Sequence, residues 1–273
     1  MIATLAYGAA GLVLFYACIL LGMYLAQRQL IYVADPTHSQ PQAHGLSNVR
    51  ERVLRTADGE TLVTWWRAAQ SGQPTILYFH GNAGTLAYRA PRIAAFEAQG
   101  WGVVMMSYRG FSGSSGRPSQ EAIFADAKLA LDALLATGTR PGDIILYGES
   151  LGAAVAARLA TQASVGGMIL EAPFTSLVDV AARQYPWLWV RPFVVDRFET
   201  VTLIGRIEEP TLIIHGARDG LIPVEMGRAL YAKAGAHKKQ LVVLDDAMHS
   251  DVFEHGAMEA IAAFVAKVRA RGQ

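Results

Sequence analysis

Hydrophobic and polar positions along this chain fall into distinct regimes. From Ile2 to Ala26 the run IATLAYGAAGLVLFYACILLGMYLA carries no charged side chain, so a helix made of it has no polar stripe to turn toward water. About 25 residues rising about 1.5 Å each would cross a hydrocarbon core about 30 Å thick, with some tilt. The pattern predicts a single transmembrane anchor over residues 1–27. A cleavable signal peptide is the rival reading, and it wants a basic leading segment, a shorter apolar run and small residues at the cut. No Lys or Arg precedes the run, and Tyr24 sits badly for a cut after Ala26. Arg28 flanks the far end, so the positive-inside rule leans toward a cytoplasmic position for the remainder of the chain.

Residues 28–47 are polar and proline-bearing, which reads as a linker. Beyond them, VRERVLRTADGETLVTWWRA shows two extended runs split around Asp58-Gly59, a hairpin signal. Short apolar runs then alternate with helical patterns: TILYFHG, a helix ending at Gly100, GVVMMSY, a helix from Ser119, IILYG, a helix after Ser150, GGMILEAP, TLIIHG, a helix from about Pro223, QLVVLDDA and a final helix DVFEHGAMEAIAAFVAKVRA. Ser119 is the expected N-cap of its helix, and Ile123, Ala127, Ala130, Leu131 and Leu134 fall on one face. Continuous apolar strands between helices predict a mostly parallel sheet covered on both faces. Ligands of such sheets bind beyond the carboxyl ends of the strands. Residues 48–273 thus form one α/β domain, interrupted around 174–206 by a stretch rich in Trp, Tyr, Phe and Val. That stretch is either an ordinary helix with an apolar packing face or a small cap over the strand ends.

Composition narrows the function. The 273 residues carry a net charge of +1, against the basic excess of a nucleic-acid binder. The one cysteine, Cys18, excludes an internal disulfide. The glycines of GFSGSSG do not have dinucleotide-fingerprint spacing, and HSDVFEH does not fit the zinc patterns. No metal and no organic cofactor is implied. Trp65 and Trp66 in the hairpin read as packing residues.

The chemistry concentrates at strand ends. Gly148-Glu149-Ser150-Leu151-Gly152 matches G-x-S-x-G between a strand and a helix, where the serine occupies a sharp turn. Side chains at Gly148 and Gly152 would collide with neighbouring backbone. The start of the following helix aims free N–H groups and positive dipole at any oxyanion formed beside Ser150. A serine hydroxyl needs a base oriented by a third group. His249, in DDAMHSD after the last apolar strand, is the expected base. His38 and His44 belong to the lead-in, His215 ends a strand and reads as structural, and His255 falls inside the final helix. Asp219, in HGARDGLIP after the penultimate strand, is the expected acid, with Glu171 at the end of MILEAP as runner-up. Asp245, Asp246 and Asp251 lie too close to the base in sequence. FHGNAG exposes backbone N–H groups, so the amides of Asn82 and Leu151 are expected to form an oxyanion hole. His80 is expected to brace that loop.

Taken together, the HGN turn, YRGFSGSSGRPS, G-x-S-x-G, EAPFTS, ARDGLIP and MHSD resemble an α/β-hydrolase. More narrowly they resemble the membrane-anchored abhydrolase-domain serine hydrolases, a group that includes protein depalmitoylases and serine aminopeptidase-type hydrolases. The resemblance covers nearly the whole chain. It implies an α/β-hydrolase fold with a central sheet of about eight strands, and it carries Ser150, Asp219 and His249 over as nucleophile, acid and base. The cysteine-rich N-terminal cluster of the eukaryotic depalmitoylases is missing, so their substrate does not carry over. The expected activity is acyl transfer from a carboxylic ester or thioester, fatty-acyl in one version, at a membrane and without nucleic acid; the sequence names no protein partner. The alternatives are a peptidase or amidase using the same triad, and a non-catalytic membrane scaffold.

Overall fold

The computed structural model describes residues 2–270. An eight-stranded sheet lies at its centre. The strands are β1 (Arg50–Arg55), β2 (Thr61–Arg67), β3 (Thr75–Phe79), β4 (Gly102–Met106), β5 (Ile144–Glu149), β6 (Gly167–Glu171), β7 (Thr211–Gly216) and β8 (Lys239–Leu244). Their spatial order is β8-β7-β6-β5-β3-β4-β2-β1. β3 to β8 run parallel, while the β1–β2 hairpin is antiparallel within itself and to β4. The mostly parallel α/β architecture expected from the alternation is the one observed.

Strands β3 to β7 are buried at every position except Glu149, at the end of β5. Their side chains alternate between two cores, as the two-residue period of a strand requires. Ile76, Tyr78, Ile145 and Tyr147 meet helices α2 (Ala90–Ala98) and α8 (Met258–Arg269) on one face. Leu77, Phe79, Val104 and Leu146 meet α3 (Gln120–Leu135), α4 (Leu151–Ala160) and α7 (Val224–Lys233) on the other. Each fully buried aliphatic side chain of this kind contributes roughly 1.5–3 kcal/mol. In α3 the five residues of the expected core face are all buried, and the Ser119 hydroxyl accepts from the Ala122 N–H at 3.2 Å. Trp65 and Trp66 are both buried.

Three segments depart from the sequence pattern. The N-terminal helix α1 (Ile2–Ile31) runs past the polar Gln27-Arg28-Gln29 boundary, because Leu30 and Ile31 resume its apolar pattern. Residues expected to be a plain linker then fold onto the domain. Val33–Ala34 pairs with Ala83–Gly84, and Tyr32, Pro41 and Leu46 are buried. The final helix is broken: Gly256 adopts φ +94°, a conformation that side-chain-bearing residues rarely take, so α8 starts only at Met258.

Between β6 and β7, residues 174–206 form α5 (Leu177–Gln184), an irregular stretch and the short α6 (Thr200–Leu203). Ser176 caps α5, its hydroxyl accepting from the Asp179 N–H at 3.0 Å. Across the sheet's carboxyl end from them stands α1. The helix is long and apolar enough to cross a membrane over Thr4–Ile31, with a mean hydropathy of 2.1 in its most apolar window.

Candidate active site

Ser150 is the hinge between β5 and α4. Its backbone sits at φ 53°, ψ −110°, a positive-φ conformation that costs about 1–3 kcal/mol in a non-glycine residue. Two backbone hydrogen bonds hold it there: the Ser150 N–H donates to the Glu171 carbonyl at 2.8 Å, and the Ser150 carbonyl accepts from the Ala153 N–H at 3.0 Å. The flanking glycines are required by space. A Cβ on Gly148 would lie 2.2 Å from the Gly152 carbonyl oxygen, and one on Gly152 would lie 2.0 Å from that of Phe79. Gly152→Ala must therefore push α4 off the sheet. A loss of roughly 3 kcal/mol or more is expected, lowering Tm by on the order of 10 °C. A thermal melt within a degree or two of wild type would contradict that packing.

The loops after β7 and β8 bring Asp219 and His249 to the same rim. His249 Nδ1 lies 2.7 Å from Asp219 Oδ2, and His249 Nε2 lies 3.1 Å from Ser150 Oγ. The other carboxylate oxygen, Asp219 Oδ1, accepts from the N–H groups of Leu221 at 3.0 Å and Ile222 at 2.8 Å. Burial would raise the pKa of Asp219, but the His215 and His249 rings beside its carboxylate hold it well below the usual carboxylate range. An ionised carboxylate only accepts, so Nδ1 of His249 carries the proton and Nε2 is left to accept from the serine hydroxyl. Behind the carboxylate, His215 donates from Nε2 to the Ile222 carbonyl at 2.8 Å, the structural use expected of it.

Asn82, Ser150 and Leu151 line one apolar cavity of about 220 Å³. Among the described residues, the backbone N–H groups of Asn82 and Leu151 donate to no protein acceptor. The cavity is roofed by α5 and the chain after it, and walled by the last turns of α1.

The family described as "Serine aminopeptidase, S33" matches residues 70–200 and 193–256. Over 253 residues the chain is 35% identical to the uncharacterized protein Rv2307c of Mycobacterium tuberculosis, covering 92% of this chain and 87% of that one. It is 32% identical to the alpha/beta hydrolase domain-containing protein WAV2 of Arabidopsis thaliana, covering 93% and 90%. This chain belongs to the α/β-hydrolases. Its fold also matches the Pyrococcus furiosus esterase Pf2001, with a TM-score of 0.70 over 86% of this chain and 96% of that one, at 22% identity.

The hydrolase holds its elbow with groups that local sequence patterns do not mark. Arg89 grips the Glu149 carboxylate through Nη2 at 2.9 Å and Nε at 3.2 Å, while its Nη1 donates to the Ala83 carbonyl at 2.8 Å. One side chain thus ties the loop after β3 to the residue before Ser150. The Tyr78 hydroxyl donates to the same carboxylate at 2.6 Å. Burial opposes the charge on Glu149, but Arg89 and Arg92 outweigh it and bring its pKa down to about 2.

Glu171, the runner-up acid, turns away from Ser150 into a pair with Arg92 at 2.5 and 2.8 Å, and also accepts from the Tyr147 hydroxyl. Asp246 pairs with Arg218 at 2.6 Å, and Asp251 accepts from the Met248 N–H at 2.6 Å. His80 braces its loop as expected: Nδ1 donates to the Gly81 carbonyl at 2.7 Å and Nε2 accepts from the Tyr108 N–H at 3.3 Å. Burial, helped by Arg89, pushes its pKa down to about 3, so it stays neutral. His255 lies at the helix break and is exposed.

Proposed function

We propose that this hydrolase is a membrane-anchored serine enzyme that cleaves carboxylic esters or thioesters through an acyl-enzyme on Ser150. The observation that carries this reading is the single imidazole hydrogen-bonded to the Ser150 hydroxyl on one side and to a buried, ionised Asp219 on the other. His249 Nε2 takes the hydroxyl proton as Oγ attacks the substrate carbonyl carbon. The carbonyl π electrons move onto oxygen, where the N–H groups of Leu151 and Asn82 receive the charge; one such donor is worth roughly 3–4 kcal/mol. Collapse of the tetrahedral intermediate breaks the bond to the alcohol or thiol, which leaves with the proton from His249. Water, deprotonated by the same nitrogen, then releases the carboxylic acid and restores the serine.

Anchoring is supported by the length and hydropathy of α1. Against removal as a signal peptide, a cut after Ala26 would take away Leu20, Met23 and Tyr24, which line the cavity beside Ser150, and the Tyr16 hydroxyl that accepts from the Trp189 N–H at 2.9 Å. Cleavage would strip an integral part of the site. Arg28 leans the orientation toward a cytoplasmic catalytic domain.

The family description suggests an aminopeptidase as a second reading. A site for a substrate ammonium needs a carboxylate, and neither Asp nor Glu is among the described residues that line the cavity. A non-catalytic scaffold would leave the Ser150–His249–Asp219 relay without a use. A substrate panel separates these readings: p-nitrophenyl esters and acyl thioesters are expected to turn over, and amino-acyl anilides to lag far behind. Asp219, with its pKa held well below the usual carboxylate range, is expected to stay ionised in mild acid, so no loss of ester rate there comes from its protonation. Amine release without ester turnover would overturn the proposal.

A further inference from the structure

The α1 helix does more at this site than tether it. Leu20, Met23, Tyr24, Gln27, Leu30 and Ile31 line the same cavity as Ser150. The last turn of α1 is stitched to the loop proposed to receive the oxyanion, because the Val33 N–H donates to the Asn82 carbonyl at 2.9 Å and the Asn82 amide donates to Ile31. On the other side α1 is stitched to the 185–196 stretch. Arg28 and the Tyr32 hydroxyl both reach Asp196, and Gln27 bridges the Phe193 carbonyl and the Val195 N–H. Deeper along the helix, the Tyr16 hydroxyl accepts from the Trp189 N–H at 2.9 Å.

Length decides where these contacts fall. A bilayer crossing takes about 20 residues, so the 28-residue span Thr4–Ile31 exceeds it by about two turns, and the polar Gln27-Arg28-Gln29 puts that surplus at the far end, after about Met23. Those surplus turns are the cavity wall. Tyr16 then lies about 10 Å inside the hydrocarbon, and it carries with it the chain of Trp187 and Trp189, which are 62% and 68% exposed. Exposed tryptophans beside an apolar span fit the depth of an interfacial insertion.

We propose that α1 forms one wall of the substrate site and that the cavity opens sideways into the bilayer, between α1 and the 185–195 stretch. Its occupant is a long fatty-acyl chain that reaches Ser150 from the leaflet without crossing water. This rests on the esterase reading above and names the substrate class of that site. Met23 and Leu20, at the mouth, set how much chain the cavity takes.

The test uses full-length protein in phosphatidylcholine vesicles. Met23→Trp is expected to cut the preference for long-chain over short-chain esters about tenfold or more, because an indole fills the space the chain needs. Leu25→Trp, on the exposed side of α1, leaves that preference unchanged. Equal effects of the two substitutions would overturn the proposal. A second measurement does not depend on catalysis. Brominated acyl chains in the vesicles are expected to quench the tryptophan fluorescence, and Trp187→Phe with Trp189→Phe to remove most of that quenching. Trp65, Trp66 and Trp101 are buried and supply the unquenched background. Quenching that survives the double substitution would mean the stretch does not sit in the bilayer. Failure of all ester turnover with quenching intact would count against the esterase reading alone. A glycerol monoester and an S-acylated transmembrane peptide, presented in the same vesicles, share the acyl chain, and the faster one identifies its carrier.

Discussion

Ser150→Ala is expected to lower kcat/KM for esters by at least about 10⁴-fold. Removing Oγ removes the atom proposed to form the acyl bond, while the proposed oxyanion donors on Leu151 and Asn82, and His249, stay in place to give a small residual rate. The change deletes one hydrogen bond, to His249, at a nine-per-cent-exposed position, and no strut of the fold. The melting temperature is therefore expected to stay close to wild type. Steady-state kinetics with a matched thermal melt checks both halves of this. Activity within about tenfold of wild type would remove Ser150 as the nucleophile.

Asp219→Asn is expected to cost about 10⁴-fold in kcat with little change in KM. The N–H groups of Leu221 and Ile222 both require an acceptor at Oδ1, so the asparagine must keep its oxygen there. Its NH₂ then faces His249 Nδ1, at the place where Oδ2 lies 2.7 Å away. A donor opposite Nδ1 forces that nitrogen to accept, which moves the imidazole proton to Nε2. A protonated Nε2 cannot take the proton of Ser150. The defect is thus one of tautomer as well as charge. A loss smaller than about tenfold would mean that another group orients the base, although the candidate Glu171 is already committed to Arg92.

The features legible in the sequence were local. The core face of α3 and its Ser119 cap repeat within a few residues, and the G-x-S-x-G turn carries its own steric requirement in Gly148 and Gly152. That Asp219 and His249 would meet near Ser150 was legible because each lies in the loop after a strand of a parallel sheet, and such loops converge. The groups that stiffen the site were not legible. Arg89 meets Glu149 across 60 residues of chain, and Arg28 meets Asp196 across 168, so no periodicity records either pair. Hydrophobicity marked α1 as a span, and nothing in that pattern distinguishes exposed Leu25 from Met23, which faces the cavity. The break at Gly256 escaped because a lone glycine is tolerated within a helical pattern.

The central claim is that three side chains distant in the chain act as one unit, making a single hydroxyl nucleophilic. A fluorophosphonate reagent, which phosphonylates only an activated serine, tests it most directly. Intact mass is expected to show one adduct per chain, peptide mapping to place it on Ser150, and His249→Ala to abolish it. An adduct on another residue, or none on an enzyme that still hydrolyses esters, would contradict the account.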